Sequence, residues 1–200
     1  MTEPADNAEL GFSALIERVR ACTLCREQLP HEPRPVVQLA ESSRILIVGQ
    51  APGRKVHETG IPFNDPSGDR LREWMGIGRE TFYDANRVAI LPMGFCFPGT
   101  GKSGDLPPIS LCADTWRHAL LARLKRVELT LVIGQYAQAW HLPDCRGSVT
   151  ENVRAWAQYW PSLVPMPHPS PRNNRWLRNN PWFEEDVLPA LRAKIDQLLG

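Results

Sequence analysis

Four short apolar runs recur along the chain, separated by stretches of helical character, and this alternation constrains the fold more than any other feature. Arg44 to Val48, residues 87–93 and Leu129 to Ile133 are dense in Ile, Leu and Val and lack the polar–apolar alternation of a strand with one wet face. Runs of that length and composition read as strands covered on both sides. A fourth and shorter run, Ser162 to Met166, leads directly into Pro167-His168. Between them, residues 10–21 place Phe12, Leu15, Ile16 and Val19 at helical spacing, and a helix starting at Ser67 puts Leu71, Trp74 and Met75 on one face. Further helices are predicted over 111–126, 135–140, 150–159 and 182–199, the last with Val187, Leu188, Leu191, Ile195 and Leu198 on one stripe and Pro189 marking a kink or second start. Covered strands alternating with helices predict an α/β domain with a parallel sheet. The Pro-rich stretch 26–43 reads as a surface connection, and 49–66 and 94–109, rich in Gly and Pro, read as loops.

In such sheets a ligand lies beyond the carboxyl ends of the strands. Segments 49–66, 94–109 and 167–175 all fall there, so one site assembled from distant segments is expected. The bulk properties set the frame for it. Two hundred residues, 42% hydrophobic and 22% charged, suit one domain, with residues 1–9 as a flexible tail. No apolar run approaches the ~20 residues of a membrane span, and the acidic, polar start from Met1 to Gly11 does not read as a secretory leader. A monomeric cytoplasmic protein with no membrane partner is the expectation.

A formal charge of +1 neither requires nor excludes a nucleic-acid partner. The candidate basic patch is Arg172, Arg175 and Arg178 among Asn173, Asn174, Asn179 and Asn180, for which a solvated polar loop is the plainer reading. Five cysteines in a cytosolic setting point to metal or catalysis rather than to disulfides. Cys22 and Cys25 form one close pair, and Cys96 and Cys112 flank the Gly/Pro loop after the second strand. Four thiolates suit zinc or an iron–sulphur cluster; Cys145 is left as a free thiol.

Gly49-Gln50-Ala51-Pro52-Gly53 at a strand end makes a tight turn whose backbone can approach a planar or anionic ligand. It is not the dinucleotide fingerprint G-x-G-x-x-G. Thr59 to Gly68 follows, containing Gly60-Ile61-Pro62-Phe63 and then Asn64-Asp65-Pro66-Ser67-Gly68, and the chain later presents His168-Pro169-Ser170-Pro171. These runs, with Leu131 to Ala137 between them, resemble the uracil-DNA glycosylase superfamily over roughly residues 20–195. The four cysteines resemble those of its iron–sulphur families four and five, and the motifs are closest to family five.

The resemblance implies a three-layer α/β/α domain with a central, mainly parallel four-stranded sheet. It implies hydrolysis of the N-glycosidic bond of uracil, or of another deaminated base, in DNA, leaving an abasic site. By likeness to family five, Asp65 activates or positions water; the plain reading of the same residue is a helix cap. His168 donates to the base oxygen as charge builds there. Gly49, Gln50, Ala51, Pro52, Gly53, Phe63 and Asn64 form the base pocket, with Phe63 stacked on the flipped base. Ser170, Arg172, Asn173 and Asn174 face the DNA. Cys22, Cys25, Cys96 and Cys112 hold a structural 4Fe–4S cluster, with Zn as the lesser alternative. Glu58 and Asp69 are weaker acidic candidates, and His57 is a candidate to lie near the DNA strand. Two departures stand out: no carboxylate occupies Gln50 or Ala51, and Pro92 stands where iron–sulphur relatives often carry a base-reading Asn. The missing carboxylate keeps open a protein that binds damaged or abasic DNA with little catalysis; a further alternative is an α/β enzyme holding a phosphate at Gly49–Gly53, against which the His168-Pro169-Ser170-Pro171 loop counts.

Overall fold

The computed structural model describes residues 7, 9–102, 104–142 and 147–200. Cys145 therefore lies outside the described residues. The central sheet has four strands, β1 (Ile45–Val48), β2 (Val88–Ile90), β5 (Leu129–Ile133) and β6 (Leu163–Met166), in the order β2-β1-β5-β6, and every pairing is parallel. Ile47 pairs with Ile90 on one side and Leu131 on the other, so the strands end together at one carboxyl edge.

Residue alternation divides the core into two layers. Ile45, Ile47, Val88, Ile90, Leu129, Leu131, Ile133, Val164 and Met166 project to one face, against Leu71, Trp74, Phe183 and Leu191. Leu46, Val48, Ala89, Leu91 and Val132 project to the other, against Leu15, Val19, Trp116 and Leu120. Successive side chains of a strand point to opposite faces, which is why these strands carry almost no polar positions. Each such side chain, fully buried, contributes roughly 1.5–3 kcal/mol. The three-layer α/β/α arrangement follows.

The first face is covered by α3 (Pro66–Met75) and a C-terminal helix, α9, over 183–199. The second is covered by α1 (Phe12–Arg20) and a helix α5 over 110–121. In α9 a π turn at Phe183–Val187 precedes the α-helical stretch Leu188–Leu199. Pro189 is the second residue of that stretch, and the backbone stays right-handed helical at Val187 and Leu188, so it accompanies a change of hydrogen-bond register rather than a new start. The helix α5 likewise contains a π turn, Ala113–Arg117, immediately after Cys112.

Short elements lie outside the runs predicted from sequence. Residues 49–66 include α2 (Arg54–Thr59), and Arg79–Tyr83 forms α4. Within 94–109 a two-stranded antiparallel hairpin pairs β3 (Thr100–Gly101) with β4 (Gly104–Asp105). The helix predicted over 135–140 is α6 (Gly134–His141), that over 150–159 stops at Arg154 as α7 (Val149–Arg154), and α8 (Asn174–Asn179) follows the His168 loop. Among the described residues no helix is long and apolar enough to cross a membrane.

Candidate active site

A cleft of ≈ 770 Å³ opens beyond the carboxyl ends of β1, β2 and β6. Its walls come from the turn after β1 (Gly49 to Gly53), from Phe63 and Asp65 before α3, from Pro92 after β2, from Gly104 and Asp105 on the hairpin, and from His168, Ser170, Arg172 and Asn173 after β6. Segments distant in sequence thus meet where the strand ends predict.

The first loop is built by close backbone approach. The Met93 N–H donates to the Gly49 carbonyl at 2.8 Å, and the Gly94 N–H to the Gln50 carbonyl at 2.9 Å, fastening the ends of β1 and β2 together. The ring of Phe63 lies over Gly49, 3.6 Å from where a Cβ would stand. The Gln50 amide is engaged: Nε2 donates to the Leu106 carbonyl at 2.8 Å, tying this loop to the β3–β4 hairpin.

Phe63 has φ = 52°, the left-handed region that non-glycine residues rarely adopt. Its carbonyl accepts from Arg72 Nη1 at 3.4 Å and from the Tyr83 hydroxyl at 3.3 Å, and its ring packs edge-on against Phe82. Gly68 makes this turn possible, since a Cβ there would come 1.7 Å from the Phe63 oxygen. Two residues on, Asp65 caps α3: Oδ1 accepts from the Gly68 N–H at 2.9 Å, and Pro66 takes the first helical position. The cap and a place in the cleft wall coincide in Asp65. Asn64 is turned away and its Oδ1 accepts from Arg79 at 3.4 Å.

His168 is presented by a locked loop. Buried Gln138 donates to the Met166 carbonyl at 3.1 Å and accepts from Asn152 at 3.0 Å, which fixes the end of β6. Beyond it, Asn173 Nδ2 donates to the His168 carbonyl at 2.7 Å, and Arg70 on α3 donates to the Ser170 carbonyl at 3.0 Å and to Asn174 Oδ1 at 2.8 Å. The Ser170 N–H donates to His168 Nδ1 at 3.2 Å. Nδ1 must therefore accept, which leaves the ring proton on Nε2. Burial holds the His168 pKa below the ordinary histidine value, while Asp65 and Asp105 oppose that shift. Among the described residues Nε2 has no hydrogen-bond partner, so the site offers a neutral imidazole with its N–H unspent.

Of the expected site residues, the structure brings together Gly49, Gln50, Ala51, Pro52, Gly53, Phe63, Asp65, His168, Ser170, Arg172 and Asn173. Asn64 and Asn174 stand outside the cleft wall, each bonded to an arginine. Asp69 pairs with Arg72, and Glu58 is exposed on α2. His57 does not line the cleft either; it packs beside His31 and Phe97, with its backbone carbonyl bonded to Arg34. Arg175 and Arg178 are exposed on α8.

Sequence reasoning missed Asp105, Arg70, Gln138 and Arg117. Arg117, 0% exposed, donates to the carbonyls of Leu91 and Pro92 at 3.0 and 2.8 Å, and so holds the backbone of the cleft floor. The only available signal for Asp105 was its place in a Gly-rich segment after a strand end.

The four cysteines converge on the second face. Burial pushes the Cys112 thiol up to about 12 and the Cys96 thiol up to about 11, and the neighbouring sulphurs add to both shifts. Burial and then Cys22 raise Cys25, while the nearby Cys112 side chain opposes this. The backbone at Arg34 opposes the shift at Cys96, and that at Phe95 opposes the shift at Cys112. All four are free thiols. Among the described residues no group of three or more His, Cys, Asp or Glu stands as it would around a metal ion. The sulphurs lie near enough to raise one another's pKa, so burial and mutual proximity both favour the protonated thiols.

A wholly parallel sheet with a cleft at its carboxyl edge, set with carboxylates and a neutral imidazole, belongs to the α/β enzymes. The model of the uracil DNA glycosylase superfamily matches residues 36–192, and the chain belongs to that superfamily. Among curated relatives, the Type-4 uracil-DNA glycosylase of Thermotoga maritima is 28% identical over 162 residues, which cover 77% of this chain and 79% of that protein.

Proposed function

We propose that the chain is a monofunctional DNA repair glycosylase that hydrolyses the bond between uracil and deoxyribose and leaves an abasic site. The observation that carries this reading is His168: a neutral imidazole, its Nδ1 occupied by the Ser170 N–H and its Nε2–H free, in one cleft with Asp65. Breaking an N-glycosidic bond places negative charge on the departing base and positive charge on the sugar. A preorganised N–H at the base oxygen stabilises the first, and a carboxylate near C1′ the second, while water is positioned to attack. The free oxygen of Asp65, whose other oxygen is pinned by the Gly68 N–H, serves that second task. The flipped base stacks on Phe63 above the Gly49–Gly53 backbone.

Arg172, Asn173 and Ser170 face the DNA at the cleft mouth, with exposed Arg175 and Arg178 available to phosphates. Pro92 lines the floor with no amide to read a base edge, which favours a range extending to other deaminated bases. Cys22, Cys25, Cys96 and Cys112 fit a 4Fe–4S cluster better than zinc, given the resemblance to iron–sulphur relatives. When bound, the cluster supplies a rigid cross-link between the end of α1, the segment after β2 and the start of α5. The enzyme acts as a single-domain monomer in the cytoplasm.

The test is a labelled oligonucleotide panel carrying uracil, hypoxanthine, xanthine or mismatched thymine, treated with protein and then alkali. Strand scission at uracil, lost in Asp65→Ala with DNA binding retained, is the expected result. Binding to uracil or abasic DNA without scission by the wild type would establish instead a damage-binding protein, and nucleotide binding without DNA affinity a small-molecule enzyme.

A further inference from the structure

We propose that Asp105, carried on the β3–β4 hairpin, is a second catalytic carboxylate, the group that accepts the proton of the attacking water. This rests on the glycosylase reading and assigns a step within it. Asp105 lines the same cleft as Asp65 and His168. Its Oδ2 lies 3.4 Å from where a Cβ on Gly53 would stand, so it faces the first loop across the cleft. Among the described residues its carboxylate makes no hydrogen bond and no ion pair, whereas one oxygen of Asp65 is committed to the helix cap. Both carboxylates reach His168 electrostatically, which places all three groups around one volume.

The hairpin that presents Asp105 is held from two sides. Gln50 donates to the carbonyl of Leu106, the residue next to Asp105. At Gly104 the guanidinium of Arg172 approaches to 3.0 Å of a built Cβ position, so the hairpin meets the His168 loop. Thr100 pairs with Asp105 in the ladder. An unpaired carboxylate in the wall of a cleft that takes a polyanion opposes binding, since association there depends on neutralising phosphates. Its place is understandable if it serves the chemical step.

The step balances without a further reactant. A lone pair of the water oxygen forms the new bond to C1′, and the C1′–N1 pair departs with the uracil, whose anion the His168 Nε2–H stabilises. One water proton passes to Asp105, which later releases it to solvent or to the uracil anion. Asp65 keeps its charge throughout and faces the cationic sugar.

The experiment is single-turnover excision from a uracil oligonucleotide by the full chain, comparing wild type, Asp105→Asn, Asp105→Ala and Asp65→Asn, with affinity measured separately on an abasic-site analogue duplex. General-base loss predicts a rate for Asp105→Asn that is ~10²-fold or more below wild type at saturating enzyme. Affinity is expected to be unchanged or tighter, because a charge facing the phosphates has gone. Added formate restores part of the rate to Asp105→Ala, an effect that a merely structural residue would not give. An Asp105→Asn rate within about threefold of wild type, far short of general-base magnitudes, overturns the assignment and leaves the glycosylase reading standing. A slow variant with weakened affinity and no formate rescue overturns it too, as a hairpin defect. A wild type that excises no uracil removes the glycosylase reading and the assignment together.

Discussion

The buried pair Arg117–His141 makes the folded state sensitive to acid in a way that can be worked through. Arg117 Nη2 lies 2.7 Å from His141 Nε2. A guanidinium can only donate, so Nε2 accepts and the ring is neutral, with its proton on Nδ1. Around this pair, the Arg117 guanidinium stacks over Trp140 at 4.7 Å, and Trp140 itself contacts His141 and His118. Burial first, and then the Arg117 charge, lower the His141 pKa to about 3. The unfolded chain binds a proton at this residue below about pH 6.5 while the folded chain does not. Stability from His141 is therefore full above that pH and is lost as pH falls from there toward about 3. Each pH unit in that window is worth about 1.4 kcal/mol, so by about pH 5 the loss is about 2 kcal/mol, discounted somewhat for the partial exposure of the ring. For a domain of this size that is a fall in Tm of about 4–8 °C. The assay is thermal or urea unfolding of wild type and His141→Gln at about pH 7.5 and about pH 5, read as the difference between the two pH dependences. The lowered pKa values of His57 and His168 act with the same sign, but both variants share them. The glutamine keeps an acceptor for Arg117 and removes the titration, so its stability must fall less with acid. Equal pH dependence in the two proteins refutes the reasoning.

The site yields further expectations. His168→Asn, which removes the Nε2–H, lowers kcat by ~10²–10³-fold with little change in Tm. Because burial keeps His168 below the ordinary histidine range, the wild-type acid limb governed by this group lies below about pH 6.5, measurable as kcat against pH. Phe63→Ala weakens binding of flipped-base DNA by about 1–3 kcal/mol, measured on a non-cleavable uracil analogue. Gly68→Ala forces a Cβ against the Phe63 carbonyl and costs about 2 kcal/mol or more in urea unfolding. Anaerobically purified protein shows an absorbance band near ~400 nm that Cys25→Ser loses; a colourless wild type with one bound zinc would instead support the Zn alternative.

The main sheet was legible because its strands are covered on both faces: Ile45 to Val48 and Leu129 to Ile133 have no polar residue except Thr130 to suggest anything else. The short elements were not. Arg54–Thr59 and Arg79–Tyr83 span six and five residues, too few for a helical period to show. In β3 and β4 three of the four residues named are Thr and Gly, and Gly signals a turn before it signals a strand. The cleft wall was legible where chemistry and local sequence coincide, as at Asp65 and His168. Asn64 was misplaced because the positive φ at Phe63 reverses the chain between two sequence neighbours. Arg70 and Ser170 lie 100 residues apart, and Arg117 meets Leu91 and Pro92 from a different layer. Such partnerships are products of the assembled fold, and no local pattern encodes them.

Phe63 also bears on how this chain tolerates change. Its backbone occupies a region that glycine or asparagine enters at less conformational expense, yet an aromatic ring stands there, clamped through its carbonyl by Arg72 and Tyr83. Selection for stability alone and selection for activity pull this position in opposite directions. A library sorted first for folding and then for excision would separate at residue 63 into two populations, backbone-relaxed and ring-bearing. Evolution toward a hardier protein would thus be tempted to discard the ring proposed to stack on the base.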